Sequence, residues 1–327
     1  MNDRSLIAKF EPSAGRAELL DRRMRERLAG SLDYVFSKVG DSLEVAPYAA
    51  RQLTARVRAT PQSPHVFGAY YDMVLALESD DLNRARGLAA ELITTYVGLP
   101  ATRVAAIDDR RGCEAERYRR LLLPDMDVAA APDTALMDDY RKRLAEGFAL
   151  LDTGFPDMGA EVRGLLREIV VAAGPEDPKA LTFDGASSYM LWGTILLNAR
   201  GQQTALDVAQ ALAHESGHNL LFGFCTSGPL VDNPDEELFK SPLRSDARPM
   251  DGVFHATYVI ARMHHTLTRL LEASVLDPAQ VEAARTDLSA HRQNFEAGDQ
   301  VVRQGALLTT VGREAITAAR EYMATAA

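Results

Sequence analysis

Residues 204–223, TALDVAQALAHESGHNLLFG, read as one helix around which the rest of the chain has to be packed. Thr204 and Asp207 three residues later form a capping box, in which each side chain satisfies a backbone N–H that the first helical turn cannot pair internally. Gly223 marks the expected stop. Within this helix His214 and His218 stand four residues apart, so their imidazoles differ by about 40° in azimuth and about 6 Å along the axis. Both can reach one ion. Glu215 points partly away, as the glutamate of an HExxH motif does when it acts as a general base or orients a metal-bound water. Gly217 costs the helix about 1 kcal/mol relative to Ala, and its missing side chain lets another element come close. The bland reading of the pair is a helix with one buried and one surface histidine.

Upstream, apolar residues recur at spacings of three and four from Ala17 to about Val39 and from Val66 to Val97, which predicts amphipathic helices. The stretch PHVFGAYYDMVLALESDDLNRARGLAAELITTYVG reads as two of them, joined near Ser79, Asp80 and Asp81 and closed by Gly98 and Pro100. Further helices are expected from about Asp133 to Leu151 and from Ala160 to Ala172. After AAGPEDPKA the texture changes, and LTFDGASSYMLWGTILLN (181–198) predicts a short hairpin. Pro229, Pro234, Pro242 and Pro249 make most of the segment between Cys225 and Asp251 loop. Helices from about Gly252 to Ala273, Pro278 to Ala297 and Ala306 to Met323 complete the chain. The expected fold class is mainly α, a multi-helix protein with a short β-hairpin or small sheet beside a zincin-like HExxH helix. Two regions are expected, a helical N-terminal part (1–175) suited to peptide recognition and an HExxH metal-site part (176–327). One continuous domain is equally compatible.

Composition narrows the partners. A chain of 327 residues with 46% hydrophobic and 25% charged residues is ordinary for a globular protein. Its formal charge of −10 argues against a nucleic-acid partner, because no basic stripe is present to neutralise phosphates. Cys113 and Cys225, far apart, write neither a disulfide framework nor a cysteine zinc site. No signal-peptide stretch opens the sequence, and no window approaches the roughly 20 apolar residues of a membrane helix. A cytoplasmic protein without a membrane partner is expected.

A catalytic ion needs a third ligand. The metzincin extension requires Gly and His where Leu221 and Phe224 stand, which excludes that class. A glutamate on a second helix, as in gluzincin aminopeptidases, would fall at Glu237, but DNPDEELFKSP leaves little room for a helix. His255 is the stronger candidate, since it begins the next long helix in GVFHATYVIARM and can project toward the first. Its bland role is a helix-terminal histidine with a local hydrogen bond. Just before it, SPLRSDARPMDG brackets Asp246 with Arg244 and Arg248. Guanidinium groups beside a metal would suit a small dicarboxylate, which Arg binds in bidentate fashion. A surface Arg–Asp–Arg cluster holding the loop is an equal reading. Asp251, Tyr258 and Ser188 are candidates for supporting contacts around the ligands.

Together FDGASSYMLWGTILLN, ALAHESGHNLLFG and SPLRSDARPMDGVFHATYV, with VFGAYYDMVLALESDD upstream, resemble the HExxH-motif family of peptide-modification proteins encoded with ribosomally made peptides. The likeness covers roughly residues 60–270 and is strongest from Phe183 to Met263. It implies Fe(II)- and 2-oxoglutarate-dependent β-hydroxylation of a residue in a precursor peptide, with O2 as co-reactant. His214 and His218 would then hold Fe(II), His255 would be the third ligand, and Arg244 or Arg248 would meet the 2-oxoglutarate carboxylate. Non-haem iron sites of this type usually have two histidines and one carboxylate, so whether Glu215, Asp251 or Glu237 coordinates stays open. The hairpin from Phe183 to Asn198 is the expected bed for an extended peptide, with Trp192 and Ile195 better suited to core packing. Two rivals remain: a zinc metallopeptidase in which Glu215 activates water, and a non-catalytic peptide-maturation partner with a structural metal.

Overall fold

The runs EIVVA and TILLN are buried at every residue and lie side by side in the sheet of a computed structural model that describes residues 9–94, 101–109, 112–123, 129–177, 183–241 and 246–326. They form β2 (Glu168–Ala172) and β4 (Thr194–Asn198), with β1 (Arg103–Ala106) beyond β2 and β3 (Gly185–Ser187) beyond β4. β1, β2 and β4 run parallel, and β3 is the antiparallel edge. Parallel strands covered on both faces read as continuous apolar runs. That is why the single helix expected over 160–172 does not form: a helix ends at Leu165, and the β-branched run after it takes its hydrogen bonds from β1 and β4. The hairpin is present as β3, a short 3-10 turn at Tyr189–Leu191 and β4, in register Gly185 with Leu197 and Ser187 with Ile195.

Around the sheet, eleven α-helices occur among the described residues: α1 (Ala14–Val39), α2 (Pro47–Ala59), α3 (Pro64–Glu78), α4 (Leu82–Thr94), α5 (Cys113–Leu122), α6 (Thr134–Gly154), α7 (Pro156–Leu165), α8 (Ala205–Phe224), α9 (Met250–Glu272), α10 (Pro278–Gly305) and α11 (Thr310–Thr325). The protein is mainly helical, as its periodicity predicts. The proline-rich stretch before α9 carries a small hairpin, β5 (Leu238–Lys240) with β6 (Ala247–Pro249). No helix among the described residues is long and apolar enough to cross a membrane.

α8 runs through the centre, started by the capping box: Asp207 N–H donates to Thr204 Oγ1 (3.1 Å) and Thr204 N–H to Asp207 Oδ2 (2.9 Å). One apolar core joins α1–α4 to α8–α11, and a second joins α6 and α7 to β2, β4, α8 and α9. Each fully buried Leu, Ile or Phe in them contributes roughly 1.5–3 kcal/mol. Because β2 pairs with β4 over five residues, the sheet itself spans the 175/176 position. Trp192 is fully buried, and its indole N–H donates to Asp21 Oδ1 (3.3 Å) on α1. A buried ionic triad also crosses the molecule. Glu161 on α7 accepts from Arg16 Nε (2.8 Å) and Arg262 Nη2 (2.6 Å), tying α1 and α9 together. Burial would raise the Glu161 carboxyl, but the two guanidinium groups hold it below the usual range.

Candidate metal centre

Two glycines allow the neighbours of α8 to close in on the HExxH turn. A Cβ at Gly217 would stand 2.9 Å from Val259 Cγ1, so the bare backbone there is what lets α9 approach. On the opposite side a Cβ at Gly185 would lie 2.5 Å from Glu215 Oε1. Glu215 is consequently enclosed between its own helix and edge strand β3, 5% exposed.

His214 and His218 project from successive turns, with their Nε2 atoms 3.2 Å apart and their rings at 70°. That separation is close to the roughly 3.3 Å spanned by two nitrogens each 2.0–2.1 Å from one tetrahedral ion. His255, in the second turn of α9, approaches the opposite side of the His218 ring: Nδ1 to Nδ1 is 3.1 Å, with the rings near-parallel at 14°. His214 Nδ1 is 3.2 Å from Met263 Sδ, two turns further along α9. His255 Nε2 is 3.8 Å from Asp251 Oδ1. Phe222 covers the His255 ring (centroids 5.3 Å), Tyr189 lies against Phe222 (5.9 Å), and Tyr71 against Tyr189 (5.9 Å).

Burial pushes His218 well below the ordinary imidazole range, and the neighbouring His214 and His255 push it further. Burial lowers His255 as well, against an opposing pull from Asp251. Neutral imidazoles with lone pairs are the state that a divalent cation requires. In spacing and donor chemistry the His214–His218 pair fits an ion. His255 does not complete the set through its close nitrogen, because that atom faces Nδ1 of His218 rather than Nε2. Among the described residues no group of three or more His, Cys, Asp or Glu is arranged to hold a metal.

The remaining expected residues sit on several elements. Glu237 is exposed in the turn before β5, where it accepts from Asn233 Nδ2 (2.9 Å). Arg248, on β6, is paired with Asp246 (2.8 Å), the surface arrangement; Arg244 lies outside the described residues. Asp251 is about half exposed, one turn before His255. Tyr258 is buried edge-on against Phe10 and beside Arg262 of the ionic triad, and Ser188, half-buried, follows β3 with its carbonyl accepting from Leu191 N–H. Sequence reasoning missed Met263, Gly185 and Phe222. Phe222 lies four residues past His218, so the helical repeat places it on the histidine face; nothing local distinguishes Gly185 or Met263, whose roles arise from other elements. Compared with known proteins, the chain matches no family model and no curated protein.

Proposed function

We propose that the protein is an Fe(II)- and 2-oxoglutarate-dependent oxygenase that hydroxylates a side-chain β-carbon in a ribosomally made precursor peptide. The observation that carries this reading is the His214–His218 pair, Nε2 atoms 3.2 Å apart, set beside an edge strand. The sequence resemblance of the same segments supplies the reaction class. His214 and His218 would hold the ion. Bound there, Fe(II) with 2-oxoglutarate and O2 would supply insertion of one oxygen atom into a C–H bond, the other oxygen atom ending in succinate as CO2 is lost.

The chain's own part is positioning. Among the described residues β3 has no strand partner on the side away from β4, and an extended peptide can add there as a strand. Main-chain hydrogen bonds along that edge would hold the backbone in register, so that one side chain is presented at the histidines. Phe222, against the His255 ring, and Tyr189, against Phe222, would give one flank an apolar wall. Arg244 and Arg248 are the cations suited to the distal carboxylate of the cosubstrate. Arg248 would exchange Asp246 for it, a small loss because exposed ion pairs contribute about 0–1 kcal/mol.

A zinc peptidase is the second reading, favoured by one distance: Glu215 Oε1 lies 3.9 Å from His214 Nε2, within reach of a water on an ion held by that nitrogen. Anaerobic loading with Fe(II), followed by 2-oxoglutarate, O2 and the precursor peptide encoded nearby, separates the two. A peptide heavier by one oxygen, with stoichiometric succinate, is expected. Two peptide fragments and no succinate would overturn the oxygenase reading.

A further inference from the structure

Each histidine of the HExxH pair has a second ring nitrogen, and both second nitrogens are met by the same helix. His214 Nδ1 is 3.2 Å from Met263 Sδ, and His218 Nδ1 is 3.1 Å from His255 Nδ1. We infer that α9 orients both imidazoles of the centre, Met263 acting on His214 and His255 on His218, so that His255 is a positioning residue and not a third ligand. The inference rests on the metal reading above.

A thioether sulfur accepts hydrogen bonds and cannot donate them, so the contact with Met263 calls for a proton on Nδ1 of His214, and a ring that binds an ion through Nε2 carries no second proton. Its Nε2 then carries a lone pair toward Nε2 of His218. For His218 to offer a matching lone pair, its proton must also sit on Nδ1, donated to Nδ1 of His255. His255 in turn carries its proton on Nε2, the nitrogen that faces Asp251 at 3.8 Å. The first two donors meet acceptors at 3.2 and 3.1 Å, the third faces a carboxylate beyond hydrogen-bond distance, and the two Nε2 lone pairs face one another.

Metal-binding histidines are commonly fixed through the other ring nitrogen, and loss of such a partner lowers metal affinity 10–100-fold. The usual partner is a carboxylate or a carbonyl. A thioether is a weaker acceptor, so His214 is the less electron-rich ligand of the two. Gly217 belongs to the same device, because its bare backbone admits Val259 of α9, which lies one turn from both His255 and Met263.

The full-length protein is titrated with Co(II), and a Cu(II)-loaded sample is examined by electron spin-echo modulation, which counts bound imidazoles through their remote nitrogens. Two imidazoles are expected. Met263→Leu keeps size and removes the acceptor, so Co(II) affinity should fall about 10-fold with the melting temperature of the metal-free protein held. Met263→Gln, whose carbonyl accepts from His214 Nδ1, should restore it. His255→Asn should leave the count at two while weakening affinity. Three imidazoles in the parent, falling to two in His255→Asn, or unchanged Co(II) affinity in Met263→Leu, would overturn the inference. Failure of the parent to bind either ion would instead remove the metal reading on which it stands.

Discussion

Replacing Gly217 by Ala sets two effects of known size against each other. A glycine inside a helix costs about 1 kcal/mol relative to Ala, so on propensity alone the substitution stabilises. The new methyl, however, would stand 2.9 Å from Val259 Cγ1, closer than carbon atoms pack, with Arg262 Cδ at 3.6 Å. Neither neighbour can yield easily. Val259 is fully buried and β-branched, with a stiff χ1 in a helix, and Arg262 is anchored by Glu161. Overpacking of this kind costs about 1–3 kcal/mol, which leaves a net loss of roughly 1 kcal/mol once the propensity gain is subtracted. Gly30, in the exposed face of α1 with nothing within 4 Å of the place a methyl would take, is the control, and Gly30→Ala should gain up to about 1 kcal/mol. Urea unfolding with matched m-values measures both. If Gly217→Ala stabilises as much as Gly30→Ala, the close contact between α8 and α9 does not constrain the centre.

Three further outcomes are expected. Co(II) present at one hundred times its dissociation constant should stabilise the fold by about 2.7 kcal/mol, and His214→Ala or His218→Ala should abolish that gain; an equal gain in both variants would place the ion elsewhere. Glu161→Gln strands two buried guanidinium groups and should cost about 3–5 kcal/mol, so a loss below about 1 kcal/mol would contradict the triad. Acid should destabilise the protein early. Burial, reinforced by nearby cations, pushes His264 down to about 4 and His265 to about 3. The unfolded chain takes up these protons near the ordinary value of 6.5, while the folded chain resists until much lower pH. Stability is therefore complete above pH 6.5 and lost progressively toward pH 4 and 3. Melting temperatures between about pH 7.5 and 4.5 should fall in the parent and fall less in the His264→Gln, His265→Gln double variant; identical profiles would refute the assignment.

What the sequence determined by itself is local. The capping box at Thr204, the helix through His214 and His218, the β3–β4 hairpin and the proline-broken approach to α9 follow from residue spacing and turn chemistry, and all four are present. The strand EIVVA was illegible because a buried apolar run serves a helix or a parallel strand equally until its neighbours are known. Contacts far apart in the chain were likewise decided only by tertiary packing. His218 meets His255 across 37 residues and His214 meets Met263 across 49, so which ring nitrogen faces which partner depends on how closely α9 approaches α8. A four-residue spacing fixes that two imidazoles share a face. Only the packing of a second helix fixes how those rings are turned, and so which ring nitrogens the candidate centre can offer to an ion.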